Sequence, residues 1–125
     1  MSGKIIAFDL DDVICKREIE GNNVEKYLSC APIPEMVEIV NNCYNSGNLI
    51  IIYTARGMNV FNKDVSAIYE NRYELTHSHL SEWGVKFHEL IMGKIHYDIL
   101  IDDKALSSFR VKSIEDIVDH LEKIS

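Results

Sequence analysis

Residues 5–15 read IIAFDLDDVIC, an apolar run that leads into three aspartates, Asp9, Asp11 and Asp12. The run is β-branched and too short for a helix, so it predicts a buried strand over residues 4–10. Carboxylates repel one another and are costly to place at the end of a buried strand unless a cation compensates them. The stretch therefore predicts a strand that delivers acidic side chains to a site.

The rest of the chain alternates strand and helix patterns. Further strands are predicted over residues 48–54 (NLIIIYT), 86–92 (KFHELIM) and 97–103 (YDILIDD). Helices are predicted from Pro34 to Gly47, over 60–83 as two helices broken near 71–73, and over 113–124. This alternation predicts an α/β fold built on a mainly parallel sheet.

Length, charge and composition limit the classes of function. A chain of 125 residues predicts one domain, 1–125, in which the polar stretch 14–30 forms a loop or small flap. The net charge of −7, without a cluster of Lys or Arg, argues against nucleic acid or a membrane surface as the main partner.

The compartment is also indicated by the sequence. No apolar run is long enough to span a bilayer and the N-terminus lacks a signal-peptide layout, so we expect a cytoplasmic protein. Cys15, Cys30 and Cys43 are odd in number and show no CxxC pairing, which predicts free thiols rather than disulfides or a zinc site.

Polar residues follow three of the predicted strands. Asp9 and Asp11 end the first, Thr54 ends the second, and Asp102 and Asp103 end the fourth. Ligands of parallel α/β sheets bind beyond the carboxyl ends of the strands, so we expect these groups to converge on one edge. A cluster of carboxylates without His or Cys suits Mg2+ better than zinc or iron, and Mg2+ beside an aspartate suits phosphoryl transfer.

The same residue types can perform that chemistry. An aspartate can act as nucleophile and form an aspartyl-phosphate, and a carboxyl two residues on can protonate the leaving group. Thr54 would offer its hydroxyl and nearby backbone N–H groups to phosphate oxygens. Lys94, in IMGK, would anchor both the phosphoryl group and Asp9.

Four segments in order, AFDLDDV, IIIYTAR, the Lys of MGK and ILIDDKA, resemble the four motifs of the haloacid-dehalogenase superfamily of phosphatases and phosphotransferases. The resemblance spans residues 4–105. More narrowly, YTARGM and the pattern GKxxxDxxIDDKA look like the small, capless phosphatases of bacterial capsule and surface-polysaccharide gene clusters. The resemblance implies a Rossmann-like, three-layer α/β/α sandwich with a minimal cap or none.

The resemblance also implies an activity, that of a Mg2+-dependent phosphatase acting on a small phosphorylated metabolite such as a sugar, polyol or amino-alcohol phosphate. Asp9 would be the nucleophile and Asp11 the general acid/base. The implied substrate-binding residues are Thr54, Ala55, Arg56 and Lys94, with surface ion pairing as the alternative for Arg56. The implied Mg2+ ligands are Asp9, the backbone carbonyl of Asp11, and Asp102, with Asp103 in support.

The chain departs from the superfamily's pattern at two places. The first motif often reads DLDGT, where this chain has Asp12 and Val13, and Ile95 stands where relatives often have proline. We expect Asp12 to fill the turn and face away from the pocket. Candidates for contacting the leaving group from the flap are Lys16, Arg17 and Tyr27.

Other functions remain open at this stage. A dehalogenase would use Asp9 but needs neither Asp11 nor Mg2+, and a response-regulator receiver has its acids, Thr and Lys in a different order. A phosphotransferase or a catalytically silent binding module keeps the same motifs. The sequence leaves no room for a large cap domain, and a homodimer would supply the missing cover.

Overall fold

The structure is a computed structural model that describes residues 2–17 and 30–125. Its strands are β1 (Ile5–Asp9), β2 (Cys15–Lys16), β3 (Ala31–Pro32), β4 (Leu49–Thr54) and β5 (Glu89–Met92). Its helices are α1 (Pro34–Asn45), α2 (Val65–Glu82) and α3 (Ile114–Ile124), with a 3₁₀ turn at Ser108–Arg110. None of the helices in the described ranges has the length and apolar character needed to cross a membrane.

The main sheet has the order β1-β4-β5, and both neighbouring pairs are parallel. Asp9 lies opposite Tyr53 and Thr54 lies opposite Met92, so the ends of the three strands meet at one edge. The prediction of a Rossmann-like α/β fold with a mainly parallel sheet is confirmed. This register places the first two motif segments side by side.

One face of the sheet is covered by helices. α1 contacts β4 and α2 contacts β5. Because both crossovers advance in the same direction along the sheet, right-handed connections place both helices on the same face. The strand residues buried on that face are Phe8, Ile50, Ile52, Leu90 and Met92.

The opposite face of the sheet carries apolar residues that are open to solvent. Ile5 is 71% exposed, its partner Leu49 is also exposed, and Tyr53 continues the same face along β4. Parallel sheets are normally covered on both faces, because crossover helices pack on them. An apolar face open to solvent is therefore unusual for a sheet of this type.

The flap is described only at its base. β2 and β3 pair in antiparallel fashion, with Cys15 opposite Pro32, and hold the two ends of the stretch together. Of the flap residues that the sequence singled out, Tyr27 lies outside the described residues.

The predicted break in the second helical stretch is wrong, since α2 runs without interruption over 18 residues. Asn71 donates to the carbonyl of Ala67 at 2.7 Å, and Thr76 donates to the carbonyl of Arg72 at 2.8 Å, so these polar side chains bond within the helix. Arg72, Thr76 and His79 are buried. The apolar pattern looked weak because polar residues occupy part of the inward face.

The predicted fourth strand, 97–103, is also wrong. This stretch, called the exposed segment below, forms no strand, and all its residues are exposed. Ile99 is 75% and Ile101 is 91% exposed. An apolar pattern indicates a tendency to be buried, but a strand forms only where a neighbouring edge supplies hydrogen-bond partners.

The other predicted elements are confirmed with shifted ends. Gly47, with φ of 91°, follows the end of α1, and the strand predicted over 86–92 shortens to Glu89–Met92. α3 begins after Ser113, whose capping box with Asp116 satisfies backbone donors of the first turn. Ile117 of α3 is buried, and α3 packs against α1.

Candidate active site

A cavity of about 230 Å³ lies at the carboxyl edge of the sheet. The candidate residues from the sequence that line it are Asp9, Asp11, Arg17, Thr54, Ala55 and Arg56, whereas Lys94 is not part of the lining. A more open groove of about 400 Å³ lies elsewhere, between α1 and Trp83. That groove is lined by one carboxylate and no cationic side chain, so it offers no positive charge to a phosphorylated ligand.

Asp9 is held from two sides while staying accessible. Its Oδ1 accepts a hydrogen bond from the backbone N–H of Leu10 at 2.8 Å, and its Oδ2 lies 3.1 Å from Nζ of Lys94. The Asp9 side chain is still 39% exposed. A carboxylate fixed in orientation and open to the cavity is suited to nucleophilic attack.

Lys94 is placed by the sheet itself. Its backbone N–H donates to the carbonyl of Thr54 at 3.0 Å, directly beyond the last pair of β4 and β5. Burial alone would lower the pKa of Lys94, but the charge and hydrogen bond of Asp9 outweigh it and raise the pKa. Lys94 is therefore a fixed cation next to Asp9, as the sequence predicted.

Thr54 ends β4 and is buried at the floor of the cavity. Its Oγ1 accepts a hydrogen bond from the backbone N–H of Arg56 at 3.1 Å. The hydroxyl hydrogen can still be donated to an oxygen in the cavity, because a hydroxyl both donates and accepts.

Arg56 forms a buried ion pair with Asp11. Its Nε lies 3.0 Å from Oδ2 and its Nη2 lies 3.0 Å from Oδ1, a bidentate arrangement. The guanidinium is fully buried, and Nη1 contacts Oγ1 of Thr76 at 3.3 Å and Nδ1 of His79 at 3.1 Å. Arg56 belongs to the lining of the cavity, but its guanidinium is engaged by these protein groups, and the alternative of a surface ion pair is wrong because the pair is buried.

Two thiols complete the surroundings of this ion pair. Cys15 and Cys30 approach Oδ1 of Asp11 at 3.4 Å and 3.7 Å, and Nη2 of Arg56 lies 3.4 Å from the Cys30 sulfur. The hydrogen bond between the thiols, together with burial, raises the pKa of Cys15, and the same hydrogen bond lowers the pKa of Cys30. Cys15, Cys30 and Cys43, the three cysteines of the chain, form no disulfide.

Asp11, Cys15 and Cys30 are also close enough to share a metal ion, since their ligand atoms lie within 4.8 Å of one another. Sulfur ligands favour softer metals than Mg2+. The guanidinium of Arg56 already contacts all three groups, and its positive charge opposes a second cation. This cluster therefore does not indicate Mg2+.

The turn after β1 corrects one expectation. Asp12 has φ of 68°, in the left-handed region where glycine is favoured, which is the backbone reason for Gly in the DLDGT pattern. Asp12 fills the turn as predicted, but it does not face away from the cavity. It lines the rim, where its carboxylate pairs with Arg17 at 2.8 Å.

Several residues of the site were not predicted from the sequence. Asn59, Val60 and His96 complete the cavity wall, and Thr76 and His79 support Arg56 from α2. The spacing of Thr76 and His79, which puts both on one face of a helix, could have indicated their role. Polar residues on an inward face look like a break in the helix unless their partner is known.

Asp102 is not brought to the cavity of its own chain. It belongs to the exposed segment, and its Oδ1 accepts hydrogen bonds from the backbone N–H of Lys104 at 2.6 Å and of Ala105 at 3.2 Å. Among the described residues, the cavity lining includes Asp9 and Asp11 but neither Asp102 nor Asp103. One copy of the chain therefore gathers two of the three implied Mg2+ ligands.

Comparison with known proteins shows the fold. No protein-family model matches the chain, and no curated protein matches it. The chain is similar to a crystal structure of an MCSG target from Vibrio cholerae, with a TM-score of 0.82 and 24% sequence identity. The match covers 98% of this chain and 99% of that one. At this identity the likeness establishes the architecture, and the description of that protein names no activity.

Replacing Arg56 tests the buried ion pair. Arg56→Ala leaves Asp11 buried without its cation, and we expect a loss of about 3–5 kcal/mol in the free energy of unfolding, measured by urea titration. Arg17→Ala is the matched control, since it removes an arginine from the exposed pair with Asp12 and should cost at most about 1 kcal/mol. Equal losses in the two variants would contradict the assigned role of Arg56.

His79 predicts a pH dependence of stability. Burial and the charge of Arg56 lower its pKa from 6.5, against smaller opposing effects of Glu82 and Asp11. As the pH falls below 6.5, the unfolded chain takes up a proton that the folded protein binds less readily, so stability decreases. Thermal unfolding should show a steeper decline in Tm between neutral pH and about pH 5 for the wild type than for His79→Gln. Parallel Tm curves for the two proteins would refute this.

Proposed function

We propose that this chain is a phosphatase of the haloacid-dehalogenase type that hydrolyses a small phosphorylated metabolite through an aspartyl-phosphate on Asp9. One observation carries the proposal: Asp9, Asp11 and Thr54, from adjacent parallel strand ends, line one cavity, and Lys94 pairs with Asp9. The order of these residues along the chain is the order of the motifs in the superfamily that the sequence resembles.

In the first half of the reaction, a carboxylate oxygen of Asp9 attacks phosphorus while the bond from phosphorus to the leaving oxygen breaks. Asp11 gives its proton to that departing oxygen. Lys94, the hydroxyl of Thr54 and the backbone N–H of Ala55 bind the oxygens of the phosphoryl group. The products of this half are the free alcohol and phosphorylated Asp9.

In the second half, Asp11 takes a proton from water as the water oxygen attacks phosphorus. The bond between phosphorus and the Asp9 oxygen breaks, which releases inorganic phosphate and restores both carboxyl groups. Arg56 orients Asp11 for both steps, because it contacts both carboxylate oxygens. Oδ1 is also contacted by Cys15 and Cys30, so Oδ2 is better placed to exchange a proton with the substrate.

Mg2+ is part of the proposal. The residues that would hold it are Asp9, the backbone carbonyl of Asp11, and Asp102, an oxygen-only set that fits this ion. When bound, Mg2+ would neutralise negative charge on the phosphoryl group. The fit is incomplete within one copy of the chain, because Asp102 lies outside the cavity.

The size of the cavity supports a small substrate. Drug-sized ligands occupy pockets of roughly 300–1,000 Å³, which is more than the 230 Å³ present here. The cavity suits a phosphoryl group and part of a small leaving group, such as a sugar, polyol or amino alcohol. We place the reaction in the cytoplasm, where free thiols persist, and in the synthesis of a surface polysaccharide, on the strength of the family resemblance.

Phosphate release from a panel of sugar, polyol and amino-alcohol phosphates tests the proposal. The wild type should hydrolyse at least one substrate with Mg2+ and lose this activity when EDTA is added. Asp9→Asn, which removes the nucleophile while keeping its shape, should lower kcat by about a thousandfold or more. Asp119→Asn, the same change at an exposed position of α3, is the control and should leave kcat unchanged.

Two results would overturn this function. Full activity of Asp9→Asn would exclude Asp9 as nucleophile. No phosphate release by the wild type from any substrate with Mg2+ present would favour a catalytically silent binding module.

A further inference from the structure

The structure has an open strand edge on β1 and, in the exposed segment, an apolar stretch that could pair with such an edge. β1 pairs with β4 along one edge, and no other described strand pairs with its second edge. The exposed segment, residues 97–103, has an apolar strand pattern but no strand partner among the described residues. An open edge is a template for an added strand, because its N–H and C=O groups are available for pairing.

The chain cannot fill this edge with its own segment while the rest of the structure stays in place. To bring Asp102 beside Asp9 in a parallel pairing, Asp98 must lie beside Ile5, at the opposite end of β1. Residues 93–97 alone connect Asp98 to the end of β5 at Met92. A connection between parallel strands in one sheet usually needs a dozen or more residues.

Distances lead to the same conclusion. The backbone of Lys94 bonds to Thr54 at 3.0 Å on the β5 side of β4. The position beyond β1 is three strand spacings away, about 14 Å, and the level of Ile5 is about 16 Å further down the strand. The four residues from Lys94 to Asp98 span at most about 14 Å when fully extended. If the exposed segment paired with β1 of its own chain, Lys94 would have to break its contacts with Thr54 and Asp9.

We propose that two copies of this chain exchange the exposed segment, so that residues 98–102 of each copy form a parallel strand beside Ile5–Asp9 of the other. The exchange is reciprocal and therefore closed, as expected for a two-fold dimer. Each copy covers the open edge of its partner, and neither copy has to release Lys94.

The side-chain pattern fits this register. Residues paired across parallel strands point to the same face of the sheet, so Ile99 joins Ile6 and Ile101 joins Phe8 on the helix-covered face. The two isoleucines of the segment, its most exposed large apolar residues in a single copy, would thus be the two that become buried. Leu100 joins Ala7 on the opposite face, which is the face left open to solvent in one copy.

The exchange also completes the site. In this register Asp102 of the second copy lies next to Asp9, on the same face, at the carboxyl edge of the sheet. Each cavity then has the third oxygen ligand that a single copy lacks. This role of Asp102 rests on the proposed phosphatase function, whereas the strand pairing does not.

Light scattering after size-exclusion chromatography tests the dimer. The wild type should elute as a dimer, and Ile99→Lys/Ile101→Lys should be a folded monomer, because both side chains are exposed in the single copy. Phe109→Lys is the matched control, since Phe109 is 84% exposed but lies outside the segment, and it should remain dimeric. A monomeric wild type would overturn the proposal.

Cross-linking distinguishes exchange of the segment between two copies from pairing of the segment with β1 of its own chain. Ala7→Cys and Leu100→Cys place thiols opposite each other in the proposed register. When the two single variants are mixed, unfolded together, refolded and oxidised, exchange predicts a covalent heterodimer that neither variant forms alone. If only the double variant Ala7→Cys/Leu100→Cys reacts, and does so within one chain, the segment closes on its own sheet and the proposal is wrong.

Activity gives a third readout. A hybrid of Asp9→Asn and Asp102→Asn chains, purified through two different tags, has one site with both aspartates intact, so exchange predicts about half of the wild-type activity. An inactive hybrid would contradict the shared site. If the wild type itself releases no phosphate while the cross-linked heterodimer forms, the proposed function fails and the strand exchange stands.

Discussion

The buried ion pair between Asp11 and Arg56 joins the parts of this structure that form the site. Asp11 follows β1, and Arg56 follows β4. Through Arg56 the pair is bonded to Thr76 and His79 of α2, and both of its members contact the cysteines at the base of the flap. A charge pair taken out of water costs desolvation energy that only good geometry and further hydrogen bonds offset. The bidentate contact and the surrounding polar groups supply both, which fixes the turn after β1 in one conformation.

The cavity is lined by Asp11 and Arg56 of this buried pair and by Asp9, which belongs to a second, more exposed ion pair. Asp9 and Lys94 lie at the same edge of the sheet, but Asp9 remains accessible whereas Arg56 is fully buried. In the proposed mechanism, Arg56 positions Asp11 for proton transfer, and Lys94 places positive charge where the phosphoryl group would be attacked. In a chain with a net charge of −7, the carboxylates of Asp9, Asp11 and Asp12 are each paired with a cation at this edge of the sheet.

The sequence could predict the parts of the fold that depend on local pattern. The strands β1, β4 and β5 and the helices α1 and α3 follow from apolar spacing and capping. The placement of Asp9 and Thr54 follows from the rule that strand ends meet at one edge, whereas Lys94 was assigned from its motif. The burial of Arg56 could not be predicted, because it depends on partners far away in the chain. The continuity of α2 was missed for the same reason: its inward face carries the polar partners of Arg56.

The exposed segment illustrates a different limit. The pattern YDILIDD predicts a strand there, but the structure has no strand over these residues and all of them are exposed. A pattern cannot show whether a neighbouring edge supplies the hydrogen-bond partners that a strand needs.

The proposed catalysis depends on Asp9 as the nucleophile. Reduction with borohydride during turnover, followed by peptide mass spectrometry, tests this directly, because an aspartyl-phosphate is converted to homoserine. We predict homoserine at position 9 that depends on both substrate and Mg2+. Steady phosphate release without homoserine at position 9, or with homoserine at another aspartate, would contradict the account.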